Sequence, residues 1–226
     1  MSIPQVIVLA TGKGGAGKSN LARSLAAHWL AAKMRPALVD ADPQATIAKR
    51  HDPEGLMKDL VVKADPEMET VPATIHELCE SHRPVIVDTA GFRNQTTIMA
   101  AIEADLVLIP LKPAGEDATE AIAMYELVQE LNQTEQREGR PIQAFMVLTM
   151  TMPGTVIARH VRKELEDAGY PLLTAEVAQR VAFPEKALNG LSPSITDPDS
   201  AAARDIAAVA AEITKKMGAG HVVKAA

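Results

Sequence analysis

The chain has 226 residues, 47% of them hydrophobic and 23% charged, with a mean hydropathy of +0.01. That composition excludes a disordered chain and allows one large domain that needs no disulfide or structural metal to fold. Aromatic residues are 3% and the net charge is −6, from 29 acidic and 23 basic side chains; as an average this argues against nucleic-acid binding, because acidic surface repels phosphate and few aromatics are left for base stacking.

Cys79 is the single cysteine, which excludes a disulfide framework and a Cys-ligated zinc or iron–sulfur site within one chain. It is the pattern of a reducing compartment. The N-terminus shows no charged n-region followed by a long apolar stretch, so no secretory signal is expected. The longest uncharged run, 141–158, contains Pro141, Pro153 and Gly154 and reads as strand plus loop, not as a membrane span. A cytoplasmic protein is predicted.

Along the chain, short apolar runs alternate with helical patterns. Val6–Ala10 predicts a strand covered on both faces. It runs into Gly12-Lys13-Gly14-Gly15-Ala16-Gly17-Lys18-Ser19, and a helix follows with Leu21, Leu25 and Trp29 at spacing four. Met34-Arg35-Pro36 ends that helix. Ala37–Val39 predicts the next strand and leads to Asp40 and Asp42. Cys79 falls among Ile75 and Leu78 at helical spacing and reads as packed core. Val85–Val87 predicts a strand ending in Asp88-Thr89-Ala90-Gly91, and Leu106–Ile109 predicts another. Residues 116–138 carry Ile122, Leu127, Val128 and Leu131 in a charged background, as a surface helix does. Ala144–Leu148 is a further strand. The last helix is predicted with Asp197 as N-cap and Pro198 at its first position. Ala202, Ile206, Val209, Ile213 and Met217 form its apolar stripe. Alternating β and α predicts an α/β fold, a mostly parallel twisted sheet with helices on both faces. One domain is expected over 1–217, with 218–226 as a frayed tail.

The segment 12–19 is G-x-x-x-x-G-K-S between a strand and a helix, the context that makes it a phosphate-binding P-loop. Glycines let backbone N–H groups approach phosphate oxygens where a Cβ would block them. The helix N-terminus adds partial positive charge. Lys18 is expected to reach the β- and γ-phosphates and the Ser19 hydroxyl to ligate Mg²⁺. The nucleotide is therefore expected on Gly12, Lys13, Gly14, Gly15, Ala16, Gly17, Lys18, Ser19 and Asn20. No Asn-Lys-x-Asp or Thr-Lys-x-Asp guanine-reading motif occurs, so ATP is expected over GTP. Lys13 has two readings: a cation that stabilises the nucleotide of a facing subunit, or a solvated loop lysine. Asp40 and Asp42, two apart, share one face at a strand end. Asp88 ends an apolar strand, where a buried carboxylate needs a partner. Asp40 is either part of the metal surroundings or a strand-end cap for the next helix.

Lys13-Gly14-Gly15-Ala16-Gly17-Lys18-Ser19 resembles the deviant Walker A motif of the ParA/MinD ATPases, with Lys13 at the signature lysine. Leu38-Val39-Asp40-Ala41-Asp42-Pro43-Gln44, Val85-Ile86-Val87-Asp88-Thr89-Ala90-Gly91, Leu106-Val107-Leu108-Ile109-Pro110 and the stretch 180–197 resemble further motifs of the short ParA branch, in order. Ser19-Asn20 departs from the commoner Thr-Thr but keeps a hydroxyl. The resemblance implies a Mg²⁺-dependent ATPase that dimerises with ATP. It implies catalytic roles for Lys13 and Lys18, and for Asp42 on the attacking water. Asp40 falls near the magnesium water shell and Asp88 holds the ion with Ser19. The adenine is implied near the loops after Leu148 and around Phe183-Pro184, and Thr89-Ala90-Gly91 as a turn sensing the γ-phosphate.

Charge is uneven. Residues 151–226 carry 9 basic and 9 acidic side chains, so the whole excess of negative charge lies before them. Arg159, Arg162 and Lys163 fall on one helical arc, with Arg180, Lys186 and Arg204 further on. The resemblance implies non-specific double-stranded DNA binding by such residues in the ATP dimer; the plainer alternative is a solvated helix face. It also implies a nucleoid-associated protein, partitioning DNA or positioning a protein cargo, with a ParB-like or cargo-adaptor activator. A MinD-like membrane-cycling ATPase is the alternative. The C-terminal segment 215–224 is interrupted by Gly218 and Gly220 and lacks a large apolar anchor, so stable membrane insertion is not expected. A nitrogenase-iron-protein-like reductase would need two cysteines per chain, and a synthetase a substrate pocket that the sequence does not reveal.

Overall fold

Each apolar run becomes a strand of one sheet in the computed structural model, which describes residues 3–12, 14–91 and 94–220. The elements are β1 (Val6–Leu9), α1 (Lys18–Ala31), β2 (Ala37–Ala41), β3 (Val61–Ala64), α2 (Val71–Cys79), β4 (Val85–Thr89), α3 (Gln95–Glu103) and β5 (Leu106–Leu111). There follow α4 (Gly115–Leu131), β6 (Gln143–Thr151), α5 (Val156–Asp167), β7 (Val177–Ala178), α6 (Ala182–Leu188), α7 (Pro193–Thr196) and α8 (Ala201–Gly220). The strand order is β3-β2-β4-β1-β5-β6-β7. Every pairing between these strands is parallel.

Alternate residues of the central strands face opposite layers. Val8, Val39, Val87, Val107 and Ile109 pack with Val71 and Ile75 of α2, Ala100 of α3, Met124 and Val128 of α4, and Val161 of α5. Ile7, Leu9, Leu38, Ile86 and Leu108 pack with Leu21, Leu25 and Trp29 of α1 and Ile206, Val209 and Ile213 of α8. Each fully buried aliphatic side chain contributes about 1.5–3 kcal/mol. Trp29 is core, and Cys79 is a half-buried thiol packed against the other layer.

Three predicted boundaries move. The helix expected over 116–138 ends at Leu131, because the Asn132 side chain turns to bond both the N–H and the carbonyl of Ile142. A short 3₁₀ turn at Glu135–Arg137 follows, and the buried Arg137 donates to the carbonyls of Ile102 and Ala104 at the end of α3. The cap of α8 is Ser200 and not Asp197: its Oγ accepts from the Ala203 N–H at 3.1 Å, and Pro198 lies in the preceding turn. α8 runs on to Gly220, past the boundary expected at Met217. No helix among the described residues is long and apolar enough to cross a membrane.

Candidate nucleotide-binding site

β1 lies between β4 and β5, so the loop leaving it opens at the carboxyl edge of the sheet, where open α/β sheets bind ligands. Gly15 and Gly17 adopt φ of 84° and 79°, the left-handed region that glycine enters without strain. Gly17 is the N-cap of α1 with no side-chain cap, which leaves the first-turn N–H groups without a capping side chain. At Gly12 a Cβ would collide with the side chain of Glu120 on α4, so a side chain is excluded there. The Thr149 hydroxyl, from β6, lies 2.9 Å from the Ala16 carbonyl and 3.1 Å from that of Leu111. Lys13 lies outside the described residues.

Lys18 and Ser19 open α1. Burial lowers the Lys18 pKa, while the fields of Asp88 and Asp42 pull it back up. Asp40 of β2 and Asp88 of β4 are register partners on adjacent strands. Both are fully buried. Burial pushes the Asp88 carboxyl up to about 7; the nearby Ser19 hydroxyl and Lys18 oppose that rise, and Asp40 and Asp42 add to it. Neither Asp88 oxygen has a partner of good hydrogen-bond geometry. Asp40 Oδ2 accepts from the Ile47 and Ala48 N–H groups at 2.8 and 2.9 Å. That oxygen caps the 3₁₀ turn Ala48–Arg50, which is the capping alternative for this residue. Its Oδ1 is buried and unpartnered. Burial raises the Asp40 pKa against the pull of those N–H groups. Asp42 is half-buried, and its Oδ1 accepts from the Gln44 N–H in a tight turn. The turn at 89–91 is held at its start, because the buried Thr89 hydroxyl donates to the Leu9 carbonyl at 2.9 Å.

The orphaned oxygens of Asp88 and Asp40, beside Ser19, are the donor set that suits Mg²⁺, a hard cation that takes few protein oxygens and completes its shell with water and phosphate. Among the described residues no group of three or more His, Cys, Asp or Glu forms a metal cage on its own. Beyond Gly17 and Asn20 opens a mainly apolar cavity of about 560 Å³. Leu21, Met150, Phe183, Pro184 and Ile206 are among its walls. This is the region where the resemblance puts the base. Met150 stands at φ 52°, where the β6–β7 register shifts. Thr149 and Met150 carry no motif; only their position after an apolar strand points to them.

The basic residues do not form one open arc. Arg162 pairs with Glu166 and Glu176 and donates to the carbonyls of Leu173 and Thr174. Lys163 pairs with Asp167 at 2.5 Å, and Arg180 with Asp205 at 2.7 Å. Arg204 donates to the Asp199 carbonyl. The Arg159 and Lys186 side chains have no ion pair or hydrogen bond with another described residue. Helical spacing shows which face a side chain leaves from, not which acid on another segment it meets.

Residues 7–193 match the family model of the CobQ/CobB/MinD/ParA nucleotide binding domain. The chain is 31% identical over 197 residues to a maintenance of carboxysome distribution protein A of Gloeobacter kilaueensis, covering 84% of each. It is 28% identical over 182 residues to a protein ParA of Rhizobium radiobacter, covering 79% of this chain and 80% of the other. Among solved structures, the septum site-determining protein MinD of Pyrococcus horikoshii with Mg-ADP superposes with a TM-score of 0.73 at 15% identity, over 95% of this chain and 97% of that one.

Proposed function

Because the chain belongs to the CobQ/CobB/MinD/ParA nucleotide-binding family, we propose that it is a Mg²⁺-dependent ATPase of the ParA type that positions DNA or a protein cargo. The observation that carries the reading is the Asp88 carboxylate, buried and without hydrogen-bond partners beside Lys18 and Ser19, under an open glycine loop that leads into an apolar cavity. Relatives that distribute carboxysomes, or that bear the name ParA, support positioning as the outcome.

In this reading the loop N–H groups and Lys18 bind the phosphates, and the cavity takes the adenine. Ser19 and Asp88 hold Mg²⁺, which neutralises phosphate charge when bound. Asp42 orients the attacking water. Lys13 reaches the nucleotide of a second copy, so that ATP closes a homodimer. Support for a covered face comes from Met152, Val156, Ile157 and Val181, which are 56%, 73%, 49% and 69% exposed. Met152 and Val181 also line the cavity. Apolar exposure of that extent marks a surface that another molecule covers. The dimer then binds double-stranded DNA through cations of the C-terminal third, on the nucleoid, and an activating protein of ParB or cargo-adaptor type triggers hydrolysis and release.

The deciding experiment is DNA co-sedimentation with ADP, ATP and a non-hydrolysable analogue across salt, with anionic liposomes in parallel. ATP-dependent, salt-sensitive DNA binding is expected. Binding indifferent to nucleotide removes the proposal, and pelleting with liposomes alone replaces it by membrane cycling. Lys13→Ala is expected to retain nucleotide binding and lose the dimer; unchanged hydrolysis would sink the trans role.

A further inference from the structure

Arg23 lies in α1 four residues after Ser19, one helical turn along the same face. That face packs onto the sheet, and Arg23 is 4% exposed. A guanidinium stays charged at any physiological pH and is costly to bury without acceptors. Its Nε and Nη1 nevertheless have no hydrogen-bond partner. The charged groups whose fields reach it are Asp88, Asp40 and Arg50. On the acidic side, Asp88 Oδ1 and Oδ2 and Asp40 Oδ1 are also unpartnered. Opposite charges are thus buried within reach of each other's fields, and none of these atoms closes a hydrogen bond. A buried ion pair whose only task was to hold the fold would close it, because orphaned polar atoms in low dielectric are destabilising.

We propose that Arg23 is a resident counter-cation of the Asp40–Asp88 pair that keeps a bare divalent cation out of the empty site, so that Mg²⁺ enters only with a nucleotide. The inference rests on the reading of this site as one for Mg²⁺ and ATP. Two buried carboxylates side by side attract a divalent ion by themselves. Arg23 puts a fixed positive charge in their field, and the charge of Arg50 also reaches Arg23. A metal ion arriving alone must be brought against that charge. One arriving with a triphosphate carries enough negative charge to outweigh it. The site then responds to nucleotide and not to the concentration of free metal.

The test uses Mn²⁺, followed by electron paramagnetic resonance, on the full chain without nucleotide. Wild type, Arg23→Lys and Arg23→Met are compared at low ionic strength. For Arg23→Met the half-saturating Mn²⁺ concentration is expected to fall about tenfold or more, since a nearby unit charge in low dielectric is worth at least that. Arg23→Lys is expected to stay with the wild type, and adding Asp88→Asn to Arg23→Met to remove the gain. The proposal is overturned if Arg23→Met folds, binds Mn²⁺ with ATP, and binds Mn²⁺ alone no better than wild type. It is equally overturned if Arg23→Lys behaves like Arg23→Met. Should Arg23→Met not fold, Arg23→Gln, polar but uncharged, is read by the same two outcomes. A wild type that binds no Mn²⁺ even with ATP overturns the site reading itself, and this inference with it.

Discussion

The hydroxyl of Thr149 at the end of β6 reaches the carbonyl of Ala16 inside the phosphate loop, 133 residues earlier in the chain, at 2.9 Å. Both groups are buried, so the bond ties the loop to β6. Thr149→Val keeps the shape and leaves the Ala16 carbonyl unpaired, at a cost of about 1–3 kcal/mol. Nucleotide affinity, read by fluorescence titration, is expected to fall about tenfold, because loop order must then come from binding energy. Unchanged affinity would show that the loop is held without β6.

The contact between Gly12 and Glu120 makes a paired test. Gly12→Ala is expected to weaken nucleotide binding by about tenfold or more, since its Cβ displaces either the loop or α4. Glu120→Ala in the same chain removes the Oε2 and Cδ that the new methyl meets, although a Cβ remains. Partial recovery in the double variant is expected. No recovery at all would assign the defect to the contact with the Glu120 Cβ, which stays in the double variant.

Asp88 makes stability fall as pH rises. Burial pushes its carboxyl up to about 7, well above the ordinary 3.8, so between those values the native state binds a proton that the unfolded chain releases. Stability contributed by this group is full below about pH 4 and declines toward pH 7, by up to about 4 kcal/mol in total. Chemical denaturation of the nucleotide-free protein between pH 5 and 8 is expected to show this decline, flattening above the folded pKa. Asp88→Asn is expected to flatten it and to be the more stable protein at the upper end. A wild-type slope equal to that of Asp88→Asn would show that the carboxyl is not the titrating group.

Ion pairing separates the basic residues into two classes. Arg159→Ala and Lys186→Ala remove side chains with no partner among the described residues. Each is expected to leave the melting temperature within error and to lower the salt slope of DNA binding by about 1 per chain. Arg162→Ala removes a cation held by Glu166, Glu176 and two carbonyls. It is expected to lower stability by about 1–3 kcal/mol before any effect on DNA. The opposite ranking would mean that Arg162 exchanges its acidic partners for phosphate.

The parallel core was legible because strands buried on both faces must be apolar throughout, as Val85–Val87 and Leu106–Ile109 are. The phosphate loop was legible because its glycines and Lys18 occupy fixed offsets. The edge strands β3 and β7 were not: Val61–Ala64 is only half-buried to exposed, and Val177–Ala178 is two residues long, so neither carries a periodic signal. Asp40 illustrates a subtler limit. Spacing placed it at the strand end but could not divide its two oxygens between capping and an open site. Thr149, Glu120 and Arg23 escaped notice because each acts across the fold on a segment remote in sequence.

The walls of the apolar cavity have a consequence for how the chain holds together. Gly17, Asn20 and Leu21 stand on one side, and Thr149, Met150, Val177, Phe183 and Ile206 on the other. The groups proposed for the phosphates and the cation all lie within the first 88 residues, while most of the cavity proposed for the base is lined by residues 149–206. A nucleotide bound as proposed would therefore clasp the early and late halves of the polypeptide together. On that proposal, losing the nucleotide would free α6 and the end of β7, which line the cavity, more than the central strands.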